Sequence, residues 1–149
     1  MAIIILSLIL LFGYKSVKDL ITKSDQVDYI HFKTKLESTI KRVDYGDRLI
    51  EEFSVPKAYK EICFIDLKDT APSSGSAFNT DYPIIRDSWN SEVKTNVFLV
   101  ASKDDTESFY VEKIIVNNAG NNYLCFSATR GKIKASFEGI GRDIQVSEP

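Results

Sequence analysis

Histidine occurs once in this chain, at position 31, and cysteine twice, at positions 63 and 125. One histidine rules out a multi-histidine metal cluster and leaves any Ser–His or Cys–His catalytic pair a single candidate base. The two cysteines are too far apart for a zinc motif or a redox CxxC pair. If this part of the chain lies outside the cell, Cys63 and Cys125 can join two strands as a disulfide. Otherwise they are buried thiols behaving as small hydrophobes. Charge of one sign is also missing: 19 Lys and Arg against 21 Asp and Glu give a formal net charge of -2. The cations alternate with acids, as in "KDLITKSDQVD", which reads as a solvated helix face. No nucleic-acid partner is expected, because binding phosphates needs clustered Lys and Arg.

Catalytic signatures are absent too. There is no GxSxG, no glycine-rich phosphate loop and no HExxH. Asp104 and Asp105 in "SKDDTES" read as a solvated turn rather than a calcium-binding tip. Asp66 reads as a structural cap, and His31 as the polar edge of a packed helix. No enzymatic activity, metal or cofactor is expected. No N-x-S/T glycan acceptor occurs either.

Between Ala2 and Tyr45 proline is missing and Gly13 is the one glycine, so no breaker interrupts a helix. A helix of that length would reach roughly 60 Å. Gly46 in "DYGDR" supplies a left-handed stop. The first part, from Ala2 to Phe12, is apolar apart from Ser7, yet shorter than the ~20 residues a membrane span needs. No basic residue precedes it and no small-residue cleavage pattern follows. A start upstream of Met1, adding a basic leader and further apolar residues, would supply both. Further along, the apolar positions sort into two stripes at helical spacing. Val17, Leu20, Ile21 and Val27 form one, continued by His31. Phe32, Leu36, Ile40 and Val43 form the other, rotated by roughly a quarter to a third of a turn. Two stripes imply two different surfaces to cover.

After Gly46 the period becomes alternating. Strands are predicted in "RLIEEFSV", "YKEICFIDL", "VKTNVFLVA", "SFYVEKIIV" and "NYLCFSAT", and a hairpin in "GKIKASFEGIGRDIQVS". "KDTAPSSGSAFNTDY" reads as a surface loop, and "PIIRDSWNSE" as a short helix with Pro83 in its first turn. The short connections predict a meander. The fold class is therefore α+β, a long N-terminal α-helix (1–45) followed by a mostly antiparallel β-sheet head of about six strands (46–149).

The greasy segment leading into an amphipathic rod and a small β-rich head resembles a type IV pilin, most closely the archaeal pilin-like proteins. The stretches "LFGYKSVKDL", "IHFKTKLESTIKRVDYG", "VPKAYKEICFIDL", "TNVFLV" and "GKIKASFEGIGRDIQV" carry the resemblance over nearly the whole chain. It implies a cell-surface helical filament of identical subunits, each anchored in the membrane before assembly. It also implies a leader peptidase and a pilus assembly machinery as partners. Ile3, Ile4, Ile5, Leu6, Leu8, Ile9, Leu10 and Leu11 would build the filament core, extended by Val17, Leu20, Ile21 and Val27. Phe32, Leu36, Ile40 and Val43 would dock the head. The competing expectation is a membrane-anchored surface protein that never polymerises and whose head binds a ligand or partner, with 68–82 as its binding loop.

Overall fold

The computed structural model describes residues 14, 24–68, 72, 77–116 and 121–149. Helix α1 covers residues 24–42. The described strands are β1 (Arg48–Ser54), β2 (Glu61–Ile65), β3 (Val97–Ser102), β4 (Asp105–Phe109), β5 (Ile114–Val116), β6 (Tyr123–Ser127), β7 (Lys132–Ile140) and β8 (Asp143–Ser147). Two short helices, α2 (Ala77–Asp81) and α3 (Pro83–Asn90), lie between β2 and β3.

The strands form two four-stranded sheets, one ordered β1-β7-β8-β5 and the other β4-β3-β2-β6. This corrects the expectation of a long helix followed by one sheet of about six strands. Among the described residues the helix at the start is α1, and the architecture is not that of a type IV pilin. The rest of the expected helix, 1–13 and 15–23, lies outside the described residues. The meander is corrected as well. β1 pairs with β7, β2 with β6, and β5 runs parallel to β8.

One local break explains the second sheet. "SFYVEKIIV" reads as a single strand, but its alternation is interrupted at Tyr110–Lys113, and the two halves join different sheets. Lys113 takes a left-handed φ of 67° there, and buried Asn96 clasps Val111 from both sides. The Asn96 amide donates to the Val111 carbonyl at 2.8 Å, and its carbonyl accepts from the Val111 N–H at 2.8 Å. A side chain 15 residues upstream thus replaces the ladder bonds that would have continued the strand. The predicted loop 68–82 is corrected too, since α2 lies within it and buries Phe78.

The larger core joins the facing sides of both sheets. Ile62, Phe64, Val97 and Leu99 from one sheet cluster with Ile133, Phe137, Ile144 and Val146 from the other. α1 closes this core along the edge strands. The Phe32 ring packs edge-on to Phe53 of β1 at 5.9 Å and to Phe109 of β4 at 6.3 Å. Lys35 donates to the Glu52 carbonyl of β1 at 2.5 Å and pairs with Glu51 at 3.1 Å. A smaller core lies on the other face of β2 and β3, where Cys63, Ile65, Phe98 and Val100 meet Phe78, Ile85 and Trp89 of α2 and α3.

α1 ends against the β7–β8 hairpin. Gly46 turns the chain with φ 82°, its N–H donates to the Gly139 carbonyl at 2.9 Å, and the Gly139 N–H donates to the Asp47 carbonyl at 2.9 Å. A Cβ at position 139 would collide with the Asp44 backbone. Glycine is therefore what lets the helix end approach the sheet so closely.

Candidate functional site

Of the first predicted stripe only Val27 and its continuation His31 lie among the described residues of α1, and both are exposed. Phe32, Leu36, Ile40 and Val43 are buried in the larger core, joined by Thr39. Each such aliphatic or aromatic burial contributes about 1.5–3 kcal/mol. Val27 is 63% exposed and Ile30 60% exposed on the same helix. Ile30 was not part of the predicted stripe. Its i+3 spacing from Val27 is the signal that finds it. Ile3, Ile4, Ile5, Leu6, Leu8, Ile9, Leu10, Leu11, Val17, Leu20 and Ile21 lie outside the described residues. So does the whole run from Ala2 to Phe12 on which the expected transmembrane helix falls. Among the described residues no helix is long and apolar enough to cross a membrane.

Cys63 and Cys125 form a disulfide. They stand directly opposite one another in the antiparallel β2–β6 pair, 4.0 Å apart at Cα. The bridge is a structural staple beneath α2 and α3. Asp66 is buried and accepts the Lys68 N–H at 2.9 Å, which closes its own turn. Asp104 and Asp105 are exposed at the β3–β4 turn, and among the described residues no three His, Cys, Asp or Glu side chains gather as a metal site. His31 is exposed.

No protein family, curated protein or solved structure matches this chain.

Three tyrosines with raised pKa values mark where hydroxyls meet carboxylates. Tyr82 donates to Glu61 at 2.7 Å, and Ser127 donates to the other Glu61 oxygen at 3.1 Å. Burial first, and then the Glu61 bond, hold the Tyr82 phenol protonated. Burial and Glu107 do the same for Tyr59 and Tyr29. The Tyr82 and Tyr59 hydroxyls act as donors to Glu61 and Glu107.

Two of the open clefts among the described residues lie beside α1. One, of about 820 Å³, lies between the end of α1, the Tyr110–Lys113 turn and the β7–β8 turn. Its rim mixes Glu37, Lys41, Tyr45, Glu112 and Arg142. The other, of about 630 Å³, lies between the described start of α1 and the β1–β2 and β6–β7 turns, and its rim is mainly cationic. Sequence reasoning missed both, because their residues come from segments far apart in the chain.

Proposed function

We propose that this chain is the structural subunit of an archaeal type IV pilus-like surface filament, polymerising through its apolar N-terminal segment. The observation that carries the proposal is the two-sidedness of α1: one stripe is buried in the head while Val27 and Ile30 stay exposed. The proposal draws on that surface, not on the arrangement of the sheets. A subunit waits in the membrane on the run from Ala2 to Phe12. Assembly moves the run from lipid into a bundle of sister segments, where each apolar side chain keeps the ~1.5–3 kcal/mol that exposure to water would forfeit. Val27 and Ile30 extend that contact along α1. A filament results if the contact is heterologous and does not close into a ring. The Cys63–Cys125 disulfide supports a head folded in an oxidising compartment.

The test is polar substitution on the exposed stripe. Val27→Asp and Ile30→Asp alter surface positions, so head stability should change by no more than about 0.5 kcal/mol. Electron microscopy of cells carrying either variant should show filaments lost, while the extracted head keeps its disulfide and circular dichroism. Filaments of normal abundance in both variants would sink the proposal.

The 820 Å³ cleft favours a second reading, a membrane-anchored surface protein that binds a ligand through its head and never polymerises. On that reading cells with the unaltered chain show bare envelopes, and Val27→Asp leaves surface abundance unchanged.

A further inference from the structure

The basic cleft brings together cations that no stretch of sequence groups. Lys57 and Lys60 come from the β1–β2 connection, Arg130 from the β6–β7 turn and Lys132 from the start of β7, with His31 and Asp28 of α1 opposite. Lys132 is paired with Glu52 at 2.6 Å, whereas Lys57, Lys60 and Arg130 hold no ion pair among the described residues. Like charges gathered around one concavity repel, and among the described residues lining it Asp28 is the single acid. The neighbouring acid Glu107 is engaged by the Tyr59 hydroxyl.

The backbone gives a second, independent observation. The turn at Arg130 and Gly131 is a two-residue hairpin, with Thr129 and Lys132 exchanging both N–H···O bonds at 2.8 and 3.1 Å. Its central φ angles are 54° and 73°. Such a turn favours Asn-Gly, and a long side chain at its first position costs about 1–2 kcal/mol. The Gly131 carbonyl accepts the Val55 N–H at 2.9 Å, which fixes the turn beside Lys57. An arginine is thus held at a strained tip, next to other unneutralised cations, where asparagine would fold better.

We infer that this cleft binds the phosphate of an anionic lipid headgroup, seating the head on the membrane surface before assembly. The inference rests on the membrane-anchored stage of the function proposed above. Lipid is favoured over a soluble phosphate by position: the cleft lies at the described start of α1, on the side from which the chain leads back to the apolar run. Lys15, Lys18 and Lys23 occupy the stretch between, against Asp19.

The experiment measures partitioning of the full chain onto neutral phosphatidylcholine vesicles and onto vesicles containing one-quarter phosphatidylglycerol. Partitioning onto neutral vesicles tests the apolar anchor, and the gain on anionic vesicles tests the cleft. Arg130→Asn and Lys57→Ala should leave neutral partitioning unchanged and each reduce the anionic gain by about fivefold. Arg130→Asn should also raise the melting temperature, so that loss of binding cannot be loss of folding. An anionic gain unchanged in both variants overturns the inference. So does equal saturation of the cleft by free pyrophosphate with no vesicle preference, or variant-sensitive binding to a short DNA duplex alone. Failure of neutral partitioning would instead overturn the anchored function.

Discussion

The central strands β2 and β3 of the sheet β4-β3-β2-β6 are buried on both faces, each face by different means. The inner face packs on the other sheet and is closed by α1, with Phe32, Phe53 and Phe109 meeting ring to ring and no covalent link. The outer face lies under helices of five and eight residues, too short to be stable alone, and it carries the disulfide. A face with enough apolar area is held by packing. A face covered by two short helices needs a covalent staple, as small cores generally do. The same β2 strand serves both, Ile62 and Phe64 facing one way and Cys63 and Ile65 the other.

The sharpest way to break this contrast is on the packed face. Phe32→Ala should cost about 3–5 kcal/mol in urea unfolding, because it opens a cavity where α1 meets both edge strands. The cost should be the same with the disulfide oxidised or reduced. A strong dependence on reductant would mean that the two faces are not separately secured.

On the stapled face, replacing Cys63 and Cys125 by Ser frees a loop of 62 residues and should cost about 2–4 kcal/mol. Here the loss should appear only without reductant, since reduction brings the unaltered chain to the same state. Trp89, the sole tryptophan, is buried under this face and reports it by fluorescence.

The smallest expected effect is alkaline. Tyr29 and Tyr59 flank the larger core and Tyr82 the smaller one, all with raised pKa values caused chiefly by burial. A raised phenol stabilises the fold fully below the unfolded value of about 10, and that stability is lost as pH rises through the folded values. Tyr82→Phe should flatten the fluorescence change of Trp89 above about pH 10 while circular dichroism keeps the decline set by Tyr29 and Tyr59. Equal flattening of both signals would show that the two faces unfold as one.

Much of this was legible residue by residue. The stripe Phe32, Leu36, Ile40 and Val43 follows from helical spacing, and those four side chains are buried. The two-sided character of β2 follows from apolar residues at successive positions, and it lies between the two cores. The strand break at Tyr110–Lys113 was not legible, because the competitor for its backbone bonds is Asn96, from a loop before β3. The basic cleft was equally hidden. Reading charge along the chain finds alternating signs, and the convergence of Lys57, Lys60 and Arg130 exists only once β1, β2, β6 and β7 are placed.

The sequence by itself determined the buried side of α1 and most of the extended segments, since those properties depend on neighbours within a turn or two. Tertiary structure alone decided that the strands divide into two sheets, that Cys63 meets Cys125, and that unneutralised cations share one cleft. The physical reason is range. Periodicity is set by local backbone geometry, whereas strand partners are chosen by burial and hydrogen-bond completion between residues tens of positions apart.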